Sequence, residues 1–172
     1  MELILFYITS AVAVFATVMT LTGFNAVHSL LYLILSLLAV GVIFFLLGAH
    51  FAAVLEVIIY AGAIMVMFVF VVMMLNQGRK TVDQEREWLR PRAWLGPSLL
   101  GAVLLAEMLV IINGSGSLQT GHRVASKEVG IALYGPYLLA VELASMLLLA
   151  GLIGAYHLGR TEIKNSRGEK KS

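Results

Sequence analysis

The amino-acid sequence predicts an all-α integral membrane protein, a bundle of five transmembrane helices. Three observations lead there. Of the 172 residues, 60% are hydrophobic and 13% charged, where a soluble domain has about half and a quarter, and the mean hydropathy is +0.92. Five apolar runs each approach the 20 or so helical residues that a bilayer core requires. Lys and Arg gather beside those runs, not within them. The small net charge of +2, placed this way, suits anionic lipid headgroups and offers no face to nucleic acid. With no cysteine in the chain, disulfides, zinc–thiolate sites, iron–sulfur ligation and thiol catalysis are excluded.

The runs fall at about 3–21, 30–48, 52–75, 94–112 and 137–157. The first lacks a basic leader region and a small-residue cleavage site, so it is read as a span and not as a signal peptide. The second and third are joined by "LGAHFAA", short enough to demand a tight antiparallel hairpin. The fifth opens after Pro136, a residue suited to a helix start. Its small-residue pairs, Ala140 with Ala144 and Ala150 with Gly154, suit close helix packing. Residues 1–160 thus form the transmembrane domain and 161–172 a polar, mobile tail. "NGSGSLQTGHRV" reads as a flexible outer loop from its Gly and Ser content. No internal repeat of the kind that marks inverted transporter halves is visible.

Orientation follows from the basic residues, which are retained on the cytoplasmic side. Arg79, Lys80, Arg86, Arg90 and Arg92 follow the third span, and Arg160, Lys164, Arg167, Lys170 and Lys171 follow the fifth. Only Arg123 and Lys127 fall on the other side. The N-terminus is therefore predicted to be periplasmic and the C-terminus cytoplasmic. Trp88 and Trp94 flank the basic loop, as an interfacial aromatic belt requires.

Chemistry in such a chain rests on the polar residues that hydrocarbon disfavours. Glu56, Glu107 and Glu142 lie in or near spans. An ionised acid at the bilayer centre costs about 2.5–3.5 kcal/mol or more, so such groups face protein or water and often serve proton relays. The bland alternative is a neutral acid that bonds a neighbouring helix. Glu56 and Tyr60, four residues apart, share a helix face, where the phenol could extend a hydrogen-bonded path or simply bond a carbonyl. Gly62, between Ala61 and Ala63, marks either a tight helix contact or a deformable turn of the kind that carries π-bulges. Met65 and Phe68 follow in "IMVMFVFVVMML", where methionine tolerates repacking and a lipid-facing stripe reads the same. Glu142, within two turns of the outer end, is either a secondary site or a hydrated side chain. Glu107 has no polar neighbour at helical spacing and is assigned no role. His28, His50, His122 and His157 lie at span ends or in the outer loop, without the paired spacing of a metal or haem site. Nucleotide loops, nucleophile elbows and hydride-cofactor fingerprints are absent.

"NAVHSLLYLILSLLAVGVIFFLLGAHFAAVLEVIIYAGAIMVMFVFVVMMLN" and "GPYLLAVELASMLLLAGLIGAYHLGR" closely resemble the subunit J family of proton-translocating NADH–quinone oxidoreductase, bacterial respiratory complex I. The resemblance runs from the first span to about Arg160. It implies a five-helix core subunit of the membrane arm in the bacterial inner membrane, partnered by lipid and by subunits resembling A, H, K and N. FMN, iron–sulfur clusters and quinone would belong to other subunits, leaving no cofactor in this chain. It also implies a π-bulge at the Tyr-x-Gly element, here Tyr60 and Gly62, whose helix opens and closes a water path. Glu56, Met65 and Phe68 would border that path. The mitochondrial relatives keep the element without an acid at the position of Glu56, which implies tuning or positioning for this residue. The residues alone leave two other classes open: a stand-alone proton-coupled transporter using Glu56, and a purely structural scaffold.

Overall fold

A computed structural model describes residues 2–23, 26–75, 91–113 and 124–169. The described residues are helical, and five stretches are long and apolar enough to cross a membrane: Leu3–Thr22, Ala26–Leu46, His50–Met74, Trp94–Asn113 and Leu138–Arg160. Helical closure of the backbone explains the choice, because hydrocarbon supplies no hydrogen bonds to an open peptide group. In chain order the elements are α1 (Glu2–Thr22), α2 (Ala26–Leu46), α3 (His50–Leu55), a π-helical segment (Glu56–Ile64), α4 (Met65–Leu75), α5 (Pro91–Asn113), α6 (Ser126–Tyr134) and α7 (Leu138–Glu169). The third span is thus composite, built from α3, the π segment and α4.

The chain divides into two compact units, Met1–Ala125 and Ser126–Ser172. In the first, α2 is the central helix and packs against α1, the whole third span and α5. Small side chains let it do so. Ala13 and Ala16 on α1, Ala39 and Gly41 on α2 and Ala53 on α3 are all buried, which allows the close backbone approach that drives association in lipid. Val12, Ala13, Ala39 and Leu104 form the core, with Leu35, Leu38 and Val103 packed against it. Hydroxyl groups add polar links. Thr17 Oγ1 lies 2.8 Å from Ser36 Oγ and 2.8 Å from the Ala13 carbonyl.

The predicted hairpin between the second and third spans is present and reduces to Leu47–Ala49. Gly48 takes φ 82°, its N–H donates to the Phe45 carbonyl and that of Ala49 to the Phe44 carbonyl. This is a Schellman closure, which needs a residue tolerant of left-handed backbone. In the second unit, α6 and α7 are joined through a turn at Gly135–Tyr137, where the Tyr137 N–H donates to the Ala132 carbonyl.

Three boundaries differ from the sequence reading. The second span begins at Ala26, four residues before 30, because His28 and Ser29 are polar side chains on a helical backbone and do not interrupt its ladder. Helix α6 was not anticipated, since its nine residues are too short and too mixed to register as a span. Helix α7 continues to Glu169, into the stretch read as a polar tail. The basic loop with Trp88, most of the Gly/Ser-rich loop and Lys170–Ser172 lie outside the described residues.

Gly48→Ala is expected to destabilise the hairpin by about 1 kcal/mol, the order of cost of a side chain in left-handed backbone. Reversible unfolding of the reconstituted chain measures it.

Candidate functional site

The third span carries the feature that sets this chain apart from a plain helix bundle. Over Glu56–Ile64 the backbone is π-helical for nine residues. At its start the Glu56 N–H donates to the carbonyls of Ala52 and Ala53. At its end the Met65 N–H reaches back to the carbonyls of Gly62 and Tyr60, the latter a step of five residues. Local sequence favours the distortion. Val57, Ile58 and Ile59 are consecutive β-branched residues that crowd an α-helical turn, and Ala61-Gly62-Ala63 then offers little side-chain bulk against a wider one. Gly62 has little room for a side chain. A Cβ at this position would lie 3.1 Å from the Val57 carbonyl oxygen, five residues back. Any side chain here presses on a backbone atom of the π turn itself.

The structure separates the predicted site residues. Glu56 is half-buried and faces α2, where its Cγ would lie 3.8 Å from a Cβ on Gly41. Tyr60 is 50% exposed, and no hydrogen bond joins it to Glu56 among the described residues. The i,i+4 pairing expected of an α-helix is altered because a π turn holds more residues. Met65 is 5% exposed and packs inward, whereas Phe68, one α-helical turn on, is 51% exposed. Glu142 is exposed on α7 in the second unit. Gly41 was not singled out from sequence, yet it sets the approach of the π segment: a Cβ there would meet Val57 Cγ2 at 3.2 Å and the Ala53 carbonyl at 3.6 Å.

Beside the π segment runs an apolar groove of about 660 Å³, lined by Ala53, Val57 and Ile58 from the third span and by Leu104, Leu105 and Met108 from α5. None of the residues that line it is an acid or a base. Among the described residues no cluster of three or more His, Asp or Glu could hold a metal ion.

Glu107 has no polar neighbour at helical spacing on its own helix, but another helix supplies one. Glu107 is 5% exposed and Thr9, on α1, is fully buried. Glu107 Oε2 lies 2.9 Å from Thr9 Oγ1, and Oε1 is buried without a hydrogen-bond partner among the described residues.

These features define the class first: a polytopic helical membrane protein, interrupted at mid-span by a π segment. Comparison with known proteins defines the family. The profile of NADH-ubiquinone/plastoquinone oxidoreductase chain 6 matches residues 16–158. The chain is 60% identical over 164 residues to NADH-quinone oxidoreductase subunit J of Pseudomonas aeruginosa, a match spanning 92% of this chain and 97% of that one. To subunit J of Escherichia coli strain K12 it is 56% identical over 158 residues, covering 91% and 86% respectively. To that of Buchnera aphidicola subsp. Schizaphis graminum it is 51% identical, covering 90% and 96%. The chain therefore belongs to the subunit J family of NADH–quinone oxidoreductase, respiratory complex I. Its bacterial relatives and five apolar spans make it a multi-pass protein of the bacterial inner membrane.

Gly41→Ile is expected to overpack the contact between α2 and the π segment and to cost about 1–3 kcal/mol. Unfolding of the reconstituted variant beside the wild type checks the cost.

Proposed function

We propose that this chain is a membrane-arm core subunit of respiratory complex I that couples quinone reduction to proton translocation through a conformational switch in its third span. It acts as a non-redox part of the translocase, with flavin, iron–sulfur clusters and quinone held by other subunits. Its neighbours are membrane-arm subunits of the kind named A, H, K and N. Family membership supports the assembly, and the basic residues after the third and fifth spans support a periplasmic N-terminus and a cytoplasmic C-terminus.

The observation that carries the switch is the π segment. A helix can satisfy its backbone by bonds of either four or five residues, so a membrane span can exchange the two ladders without exposing a peptide group to hydrocarbon. Loss of the extra residue in the turn rotates everything beyond it by about one helical step, roughly 100°. Such a rotation would carry Met65 out of its buried position and redirect Phe68. Tyr60 and Glu56 lie within the segment that changes, where they border the path along which water or charge connects. Gly62 leaves the Val57 carbonyl free to take either partner. Glu56 positions the segment against α2 at Gly41.

Gly62→Val in the assembled complex is expected to lower NADH–quinone turnover by about tenfold, equivalent to about 1.4 kcal/mol in the barrier, while the complex still assembles. Normal turnover and pumping with assembly intact would reduce the chain to a scaffold. Glu56→Gln should be milder, since an amide and a neutral acid bond alike. Abolished pumping in an assembled Glu56→Gln complex would contradict a positioning role.

A further inference from the structure

Counting protons at Thr9 points to a second site, away from the π segment. A threonine hydroxyl carries one hydrogen and can donate once. Thr9 Oγ1 nevertheless sits 2.8 Å from the Leu5 carbonyl oxygen and 2.9 Å from Glu107 Oε2. The Leu5 carbonyl can only accept. The other threonines of α1 show where the hydroxyl proton goes: Thr17, Thr20 and Thr22 each place Oγ1 2.8 Å from the carbonyl four residues back. If Thr9 follows the same pattern, its proton is committed to Leu5, and the remaining contact needs a hydrogen from Glu107.

A carboxylate has no hydrogen to give, but a carboxylic acid does. The surroundings favour the acid. The four spans of this unit contain no Lys or Arg, and their histidines, His28 and His50, lie at span ends. Among the described residues Glu107 Oε1 is buried without a donor, which is tolerable for the carbonyl oxygen of a neutral acid and severe for a buried anion. Thr17 also has a second oxygen neighbour, Ser36 Oγ at 2.8 Å, but that hydroxyl carries a hydrogen of its own and either atom could donate.

We infer that Glu107 is a proton-bearing acid that donates to Thr9, so that the relay Glu107–Thr9–Leu5 ties the fourth span to the first and holds an exchangeable proton inside the four-span unit. The inference stands on hydrogen-bond counting in this unit and does not require the coupling role proposed for the third span.

Infrared spectroscopy of the full-length chain, with ¹³C-carboxyl glutamate, in phosphatidylcholine–phosphatidylglycerol vesicles at neutral pH tests it. The wild type is expected to show a protonated-carboxyl stretch that is lost in Glu107→Gln. In Thr9→Val, which keeps the shape and removes the acceptor, the stretch should move to higher frequency. Absence of any protonated-carboxyl stretch in the wild type overturns the inference whatever the variants do. So does a spectrum from which no protonated-carboxyl stretch is lost in Glu107→Gln. A stretch that depends on Glu107 but is unmoved by Thr9→Val overturns the relay.

Discussion

Hydrocarbon offers no hydrogen bonds, and the rest of the structure depends on that constraint. Every peptide group within a span must be paired by the chain itself, so the described spans are helices, and several of their polar side chains turn inward or back onto their own backbone. The threonines of α1 do the latter. The π segment meets the same requirement in another way. It widens the turn, yet its end is still closed by the Met65 N–H on the carbonyls of Tyr60 and Gly62. A distortion that keeps its ladder is compatible with lipid, whereas a broken one is not.

Association of the helices cannot rest on hydrophobicity, since lipid is as apolar as leucine. It rests on close contact. The positions that matter are accordingly small, Ala13 and Ala16 on α1, Ala39 and Gly41 on α2 and Ala53 on α3, with hydroxyl bridges between α1 and α2. The third span uses this contact sparingly. Ala53 and Met65 are buried, but Tyr60, Val66, Met67 and Phe68 are all at least half uncovered by the chain. The rest of its surface is left to be covered by lipid or by other subunits of the complex.

Much of this was legible in the residues. Span number, the hairpin at Gly48 and the family followed from long apolar runs, a short link and an extended motif. The position of the π segment matched the Tyr60 and Gly62 element. Burial along α3 and α4 was not legible, because Met65 and Phe68 are both large and apolar and hydropathy does not distinguish them. Helix α6 escaped for lack of a strong pattern, and Gly41 because a glycine on an apolar helix acquires meaning only from what lies opposite. The contact made by Glu107 was hidden for the same reason. Its partner, Thr9, is 98 residues away in sequence, and no periodicity within one helix connects them.

The amino-acid sequence by itself determined that this chain spans a membrane five times and which family it joins, since both depend on local composition and on runs of matching residues. Tertiary structure alone decided which polar groups meet, which face of the third span is covered and how near α2 comes to the π segment. Those outcomes depend on the approach of helices distant in sequence, set by the bulk of side chains on both surfaces at once.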